Sequence, residues 1–539
     1  MTDLRTRLST AAKWRVMRLR NNIAIKRKAA VIERQANESV LQSPVIFFNV
    51  SSRLGSMSLN AAYSLLTSWS IRLAGTPIIN VFCEKGMTRC IHGTNREDPS
   101  QKPPCKECIA QSKANFSHSK SIGITYIRDK GFESILENLT LEQMEALVHN
   151  DIPLGKICRS SLRWVMRRYH LKDDEVTRTL FREYLRSGWN IARQFEHILI
   201  NNQPQALVVF NGIVYPEAIA RHLAEKRGIR VISHEVNLQP YTGFFTTEEA
   251  TFRSTKLPDD FELNDAQIQQ FNEYFVKRTK GQFKMAGVKF WKDIKGLDAA
   301  FLEHASQFKQ IVSVFTNVIF DTSQEHANII FPHMFAWLDH LKGIIETNPD
   351  TLFVLRAHPD EARPGKASQE SVAEWVADSG FTQLPNADFI GPDQSINSYE
   401  LILRSKFSMI YTSTIGMEAT LLGTPVVCAG RAYYNEFVPA VYAATTLEEY
   451  EQMTADFLIA EEKSTAPQEH QINARNFLYF QLYRTSLPFS DFIEEDGAWQ
   501  GYVKLKKFHW SALKPESSIT MQVLHEGILE GKAFILPEG

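Results

Sequence analysis

The sequence has no long hydrophobic segment. No run among its 539 residues approaches the roughly 18 apolar residues that a membrane span requires. The N-terminus also lacks the apolar h-region that is typical of a secretory signal. We therefore expect a protein that stays in the cytoplasm.

An excess of either charge is also missing. The chain has 60 Lys and Arg residues and 61 Asp and Glu residues, which gives a formal net charge of −1. This balance argues against nucleic acid as a main partner, because domains that bind nucleic acid are usually basic. The sequence shows neither short repeats nor low-complexity tracts. A chain of this length predicts two or three globular domains.

Cysteine is scarce, and in the cytoplasm it is expected to be reduced or bound to metal rather than paired in disulfides. Four of the six cysteines lie in one insert: Cys83, Cys90, Cys105 and Cys108. The second pair has the C-x₂-C spacing of a zinc knuckle, whereas the first pair is spaced more widely than usual. We predict a structural zinc ion, with an iron–sulfur cluster as a less common fit and unligated thiols as the alternative. Cys158 and Cys428 are expected to be ordinary buried thiols.

Residues 1–40 differ from the rest of the chain because they are strongly basic. Arg and Lys are mixed there with apolar residues, namely Trp14, Val16, Met17, Leu19, Ile23 and Ile25. This pattern predicts an amphipathic helix that lies on anionic lipid at the inner face of the cytoplasmic membrane. The alternative is a solvated helix that packs on the protein's own surface.

The remainder alternates between predicted strands and helices, which is typical of parallel α/β domains. Apolar, β-branched runs predict strands at 44–50, 76–83, 206–212, 229–236, 310–318, 351–359, 406–413 and 425–430. We predict two Rossmann-like domains that face a central cleft. Their predicted boundaries are 41–240 with the insert at 83–108 and a helical region, a connecting segment at 241–305, a second domain at 306–485, and a tail at 486–539.

The stretch YTSTIGMEATLLGTPVVCAG, residues 411–430, contains a single ionisable side chain, that of Glu418. It reads as a strand end, a turn, a short helix that stops at Gly423, and another strand. Glu418 would lie in the first helical turn, near the edge of the sheet where open α/β folds bind ligands. It either binds a ligand or caps the backbone N–H groups of its helix.

Three motifs in the second half resemble the donor domain of capsule and surface-polysaccharide glycosyltransferases. They are RAHPDE (356–361), IGPDQSINSYELILRS (390–405) and YTSTIGMEATLLGTPVVCAGRAYY (411–434). The resemblance covers residues 310–435, whereas the first half is similar only in architecture and in the NG and HE dipeptides at its strand ends.

This resemblance implies a GT-B fold, with the acceptor on the N-terminal side and a nucleotide-sugar on the C-terminal side. It also implies that catalysis needs no metal ion, because side chains and helix N-termini stabilise the leaving phosphate. Ser413, Thr414 and Gly416 would form the turn that faces the phosphate. Glu418 would accept hydrogen bonds from the ribose hydroxyls.

Further polar residues are expected at the same edge of the second sheet. Arg356 and His358 would hold phosphate oxygens, or else form a structural pair that closes their strand. Arg431 follows the next strand and should face the same crevice.

In the first half, His234 and Glu235 end one strand, and Asn211 and Gly212 end another. Only one of two adjacent strand residues faces a given side, so either His234 or Glu235 would be the general base, with His234 preferred for its pKa. Asn211 and Gly212 would position the acceptor. The alternative is a structural histidine and a surface acid.

The sequence therefore predicts a glycosyltransferase that moves a sugar from a nucleotide-activated donor to a surface or capsular polysaccharide or a glycolipid. Two other enzymes have similar donor domains, namely a nucleotide-alditol phosphotransferase of the teichoic-acid type and a nucleotide-sugar epimerase. A third hypothesis is a non-catalytic subunit that binds a nucleotide-sugar.

Overall fold

The computed structural model describes residues 4–37, 39, 43–51, 55–280, 295–363, 365–497 and 501–538, with side chains from residue 12 onward. Of the predicted connecting segment at 241–305, residues 281–294 thus lie outside the described part. Of the predicted basic segment at 1–40, residues 1–3, 38 and 40 lie outside it as well.

The helices are, in chain order, α1 (Leu4–Gln35), α2 (Leu59–Leu73), α3 (Cys105–Asn115), α4 (Lys130–Glu137), α5 (Leu141–Glu145), α6 (Leu154–Met166), α7 (Glu175–Asn202), α8 (Tyr215–Glu225), α9 (Asp265–Thr279), α10 (Ala299–Ala305), α11 (Met334–Glu346), α12 (Val372–Asp378), α13 (Ser398–Arg404), α14 (Ile415–Leu421), α15 (Leu447–Ile459), α16 (Gln468–Tyr483) and α17 (Ile519–His525). Among the helices of the described residues, none combines the length and the apolar content that a bilayer span requires.

The strands are β1 (Val45–Asn49), β2 (Ile78–Cys83), β3 (Ser121–Ile124), β4 (Ala206–Phe210), β5 (Arg230–Val236), β6 (Thr242–Thr246), β7 (Gln310–Phe315), β8 (Thr351–Arg356), β9 (Ala387–Ile390), β10 (Phe407–Ile410), β11 (Val426–Cys428), β12 (Tyr442–Ala443), β13 (Leu487–Pro488), β14 (Ile493–Glu495) and β15 (Val503–Leu505).

The strands form two large sheets and one small hairpin. The N-terminal sheet has the order β13-β6-β5-β4-β1-β2-β3 and is parallel from β5 to β3, with β6 and β13 antiparallel at one edge. The C-terminal sheet has the order β12-β11-β10-β7-β8-β9 and is parallel throughout. The two sheets are the cores of two Rossmann-like domains, so the predicted GT-B-like α/β class is confirmed.

Each sheet is covered on both faces, and the strand residues divide accordingly. In β1, Ile46 and Phe48 pack into one buried cluster and Val45 and Phe47 into another on the opposite side. The C-terminal sheet also separates two clusters. Successive strand side chains point to opposite faces, which is why these strands read as continuous apolar runs.

The end of the chain returns to the N-terminal domain. After α16, β13 pairs with β6, and Leu487, Phe489 and Leu524 join the cluster that contains Val45. The described residues of the predicted tail at 486–539 thus supply part of that domain's hydrophobic core. The eight predicted strands correspond to β1, β2, β4, β5, β7, β8, β10 and β11. The sequence did not predict β3, β6, β9 and β12 to β15, and β6 lies in the predicted connection at 241–305.

Candidate functional site

A cleft of about 1280 Å³ lies between the two domains, at the carboxyl ends of their parallel strands. Phe210 at the end of β4 and Val236 at the end of β5 line one wall, and Phe315 and Arg356 at the ends of β7 and β8 line the other. Eight of the predicted site residues line this cleft: Asn211, Glu235, Arg356, His358, Ser413, Thr414, Glu418 and Arg431. The predicted convergence of strand ends is therefore observed.

Glu418 lies in α14 at the base of the cleft and is only 4% exposed. Its side chain accepts hydrogen bonds from Arg278 Nε (2.7 Å) and Arg278 Nη2 (2.5 Å), both on Oε1. The hydroxyl of Tyr399 donates to Oε2 at 2.7 Å. The carboxylate therefore pairs with a guanidinium and a phenol, and its described hydrogen bonds are not those of a backbone cap.

This arrangement limits what Glu418 can offer a ligand. A carboxylate has about four acceptor positions, and the donors of Arg278 and Tyr399 occupy three of them, which leaves about one on Oε2. A pair of ribose hydroxyls could not both bind unless Tyr399 or Arg278 moved. Burial is the largest single influence and lowers the pKa of Arg278. The charges of Glu418, Tyr274 and Tyr399, together with the hydrogen bond to Glu418, outweigh it and hold that pKa above its ordinary value.

Arg356 lines the cleft, but both of its terminal nitrogens donate hydrogen bonds to backbone carbonyls. Its Nη1 donates to the carbonyl of Gly391, and Nη2 donates to that of Gln394 at 2.8 Å. The guanidinium therefore holds the loop that follows β9. Its Nε is buried and has no hydrogen-bond partner among the described residues. Burial lowers the pKa of Arg356 to about 10, opposed by Asp393.

His358, two residues further on, accepts a hydrogen bond at Nδ1 from the N–H of Asp360 (3.1 Å). Its Nε2 then carries the proton in the neutral ring. Burial lowers the pKa of His358, opposed by the nearby Asp360 and Asp321. Arg431, by contrast, is paired with Glu436, with its Nε 2.8 Å from the carboxylate, and lies over the ring of Phe252.

Gly416 corrects one prediction, because it does not line the cleft. A Cβ at this position would lie 2.4 Å from Ile410 Cδ1 and 2.7 Å from the hydroxyl of Tyr434. Such contacts are too close to accommodate a side chain, so glycine allows α14 to pack tightly on β10. Its role is in packing rather than in facing a phosphate, whereas Ser413 and Thr414 do line the cleft.

On the N-terminal wall, Glu235 points into the cleft and is held by three donors. Asn60 Nδ2 (2.7 Å) and the N–H of Val236 (2.8 Å) bond to Oε1, and Asn211 Nδ2 (3.1 Å) bonds to Oε2. Asn211 adopts φ +62° and Gly212 φ +86°, so the chain turns sharply after β4. This turn places the Asn211 amide beside Glu235. Gly212 itself packs against Ser233 and does not line the cleft.

His234 is a second correction. It is 2% exposed, does not line the cleft, and has its ring near those of Phe210 and Phe245. Burial lowers the pKa of His234 to about 3. Adjacent residues of a strand face opposite sides, and here the cleft side belongs to Glu235. A base without access to the cleft cannot reach an acceptor, so the preference for His234 is wrong.

Glu217 is a cleft residue that the sequence did not single out. It is fully buried in the first turn of α8 and accepts hydrogen bonds from the N–H (3.0 Å) and the hydroxyl (2.7 Å) of Ser51. Burial raises the pKa of Glu217 to about 8, although the bonds from Ser51 oppose this. The sequence contained a signal for this residue, because Glu217 lies in the first turn of a helix that follows a strand, as Glu418 does.

The four cysteines of the insert line one small cavity of about 30 Å³, together with Met87 and Pro103. Burial raises the pKa of Cys83 to about 11 and those of Cys90 and Cys108 to about 12. Within the described residues, no three His, Cys, Asp or Glu side chains are placed so that they could hold a metal ion. The structural zinc ion or iron–sulfur cluster stays a prediction, and binding it would require deprotonation and a closer approach of these thiols.

The cleft and its strand-end residues can be compared with known proteins. Residues 213–438 match the family of capsule polysaccharide biosynthesis proteins. The predicted resemblance is thereby confirmed, over a segment that contains Glu217, Glu235, Arg278, Arg356 and Glu418. No curated protein matches the chain by sequence.

Several solved structures are similar to the chain at low identity. A Thermosulfurimonas dismutans KpsC beta Kdo 2,4 transferase shares 11% identity over 52% of this chain and 80% of its own, with a TM-score of 0.33. A Methanocaldococcus jannaschii UDP-GlcNAc 2-epimerase shares 12% identity over 54% and 79%, with a TM-score of 0.27. A sucrose-phosphate synthase from Thermosynechococcus elongatus shares 8% identity over 82% and 94%, with a TM-score of 0.26.

The buried pair of Arg278 and Glu418 predicts strong coupling between the two residues. Arg278→Met and Glu418→Gln should each destabilise the protein by about 3–5 kcal/mol, because each leaves the partner buried without its counterpart. The double variant should lose less than the sum of the two. Melting temperatures from calorimetry would measure this.

The control is Arg404→Met, which breaks a more exposed pair with Glu400 and should cost about 0.5 kcal/mol. Additive losses, or a loss of donor affinity at an unchanged melting temperature, would contradict the structural role.

The raised pKa of Glu217 predicts a pH-dependent stability. Between about pH 4.5 and pH 8 the native state binds this proton more tightly than the unfolded chain, so stability is lost as the pH rises through this range. Glu217→Gln cannot ionise and should escape that loss. Its melting temperature relative to the parent should therefore rise steadily from about pH 5 to about pH 8.

Two features make this comparison specific. Burial also raises the pKa of Glu361 to about 8, but Glu361 is present in both proteins and its effect cancels. Glu137→Gln at an exposed position of α4 is the control, because it makes the same chemical change without altering a buried carboxyl. A constant difference for Glu217→Gln would show that its carboxyl is not strongly perturbed.

Proposed function

We propose that the protein is a glycosyltransferase that moves a sugar from a nucleotide-activated donor to a surface or capsular polysaccharide or a glycolipid. The observation that carries this proposal is the interdomain cleft, where strand ends of two Rossmann-like domains bring polar side chains together. Most of the residues involved lie in the segment that matches the capsule polysaccharide biosynthesis family.

The donor is assigned to the C-terminal wall because more cations line it than line the opposite wall, although Asp321, Asp360, Asp393 and Glu418 lie there too. Arg356, Arg363, Lys366 and Arg431 line this wall together with His358. A nucleotide-sugar carries a phosphate or diphosphate, and cations around it would offset the charge that develops as the sugar leaves. The hydroxyls of Ser413 and Thr414 add neutral donors at the same place.

The contacts within this wall indicate roles for its residues that differ from the predicted ones. Arg356 orders the loop after β9 and keeps one N–H of Nη2 and its buried Nε–H outside these bonds, whereas the Nε2 of His358 is available to donate. Glu418 orders Arg278 and Tyr399 and has about one acceptor position left for a ligand hydroxyl. We infer that the phosphate is held chiefly by His358 and the hydroxyls, with the arginines contributing charge.

The acceptor is assigned to the N-terminal wall, with Glu235 as the base. Asn60, Val236 and Asn211 take three of its acceptor positions and leave about one on Oε2. That oxygen would receive the proton of the acceptor hydroxyl as the hydroxyl oxygen attacks the anomeric carbon. The bond from that carbon to the phosphate oxygen breaks, and the nucleotide leaves with the electron pair.

A ligand screen followed by product analysis tests the function. A donor that binds should raise the melting temperature, since ligands stabilise the native state by mass action, and UDP-, GDP-, CMP- and CDP-linked compounds are the set to compare. A labelled donor with an oligosaccharide or glycolipid acceptor should then give a glycosylated product and free nucleotide. Sugar isomerisation, transfer of an alditol phosphate, or binding without turnover would each contradict the proposal and identify one of the three alternatives.

The assignment of Glu235 makes a separate prediction. Glu235→Gln should lower turnover by roughly 10²–10⁴-fold and leave donor affinity unchanged, because it removes a proton acceptor from the opposite wall. His234→Gln should keep turnover near that of the parent at a temperature where it is folded. Glu248→Gln, which replaces an exposed acid just after β6 that does not line the cleft, is the matched control. Normal turnover in Glu235→Gln would remove Glu235 as the base.

A further inference from the structure

The first helix has an apolar stripe that faces solvent. Val16, Leu19 and Ile23 recur at intervals of three and four residues in α1, so they lie on one side of the helix. Their side chains are 49%, 61% and 41% exposed, respectively. Large apolar side chains that are grouped in this way on a surface commonly mark a contact site.

A second stripe fixes the helix to the protein. Ile25, Ala29 and Ile32 are buried in the core that lies between α1, α2 and the C-terminal segment. Val16 and Ile25 are nine residues apart, as are Ile23 and Ile32, and nine residues make about two and a half helical turns. The exposed stripe therefore lies on the side of α1 that is opposite to the protein body.

Basic residues flank the exposed stripe. Lys13, Arg15, Arg20, Lys26 and Arg27 are exposed, whereas Arg18 and Lys28 turn toward the body and contact Glu107 and Phe508. The helix contains no acidic residue before Glu33. An apolar centre with cationic margins fits a bilayer surface, where the apolar side chains enter the boundary of the acyl chains and the cations meet lipid phosphates.

We propose that this outer face of α1 docks the protein on a membrane that contains anionic lipid. The surface consists of Val16, Leu19 and Ile23 with the basic residues beside them. Nucleic acid fits it less well, because the cations lie at the margins and the centre of the surface is apolar. This inference goes beyond the proposed glycosyltransferase function and does not depend on it.

Docking by α1 would also orient the cleft. The helix packs on α2, and Ser58, Asn60 and Ala61 at the start of α2 line the cleft. Trp14 of α1 lies against Gly55, where an added Cβ would be 2.7 Å from its ring. The wall assigned to the acceptor is thus connected directly to the docking helix, so a bound membrane would lie on the acceptor side of the protein.

Vesicle sedimentation tests the proposal with the full chain. The parent should bind vesicles of phosphatidylglycerol and phosphatidylcholine, bind phosphatidylcholine alone much more weakly, and dissociate as salt is added. Replacing Val16, Leu19 and Ile23 together by Gln should weaken binding at least about tenfold by removing the apolar contact. Replacing Arg15, Arg20 and Arg27 together by Gln should weaken binding roughly 100-fold, since about 1 kcal/mol per basic residue gives about 3 kcal/mol in all.

The matched control is Ile459→Gln, which removes an apolar side chain that is 76% exposed on the C-terminal domain. It should bind vesicles as the parent does, and circular dichroism should show that all variants are folded. Equal binding by the parent and the Val16, Leu19 and Ile23 variant would overturn the proposal. So would equal binding to both kinds of vesicle. Competition by single-stranded RNA that abolishes vesicle binding would instead assign this face to nucleic acid.

Discussion

A parallel sheet that is covered on both faces can present polar side chains only where its strands end. Both large sheets of this protein obey that constraint, because each lies between two buried apolar clusters. Polar side chains that line the cleft therefore gather at and just beyond the carboxyl ends of β4, β5, β7, β8 and β10. The two domains turn these edges toward each other, and the cleft follows from their arrangement.

Each wall of the cleft contains a carboxylate that is held by three hydrogen-bond donors, but the two carboxylates differ in the charge of those donors. Glu418 and Glu235 each accept hydrogen bonds from three described donors, so each has about one acceptor position left. The donors around Glu418 include a buried guanidinium, so that carboxylate is part of an ion pair. The donors around Glu235 are two amide side chains and a backbone N–H, which orient the carboxylate without neutralising its charge.

The fold could be read from the sequence because buried strands and glycine-terminated helices leave local signals, as β1 and α14 illustrate. The location of the cleft could be predicted because open α/β sheets bind ligands at the carboxyl ends of their strands. The partners of the site residues could not be predicted, since Arg278 lies 140 residues before Glu418 in the chain. The choice between His234 and Glu235 was equally hidden, because it depends on which face of β5 meets the cleft. Adjacent residues of a strand face opposite sides of the sheet, so the sequence shows that only one of the two can face the cleft. It does not show which one does.

The return of the chain to the N-terminal domain has a consequence for synthesis on the ribosome. One face of that domain's core needs Leu487, Phe489 and Leu524 from the last part of the chain. The C-terminal sheet, by contrast, is built from one continuous stretch that ends before this segment emerges. The second domain can thus complete its core while one apolar face of the first domain is still uncovered. This is the reverse of the usual N-to-C order of folding. Termination between α16 and β13 would leave that face of the first domain uncovered, because Leu487, Phe489 and Leu524 would all be missing.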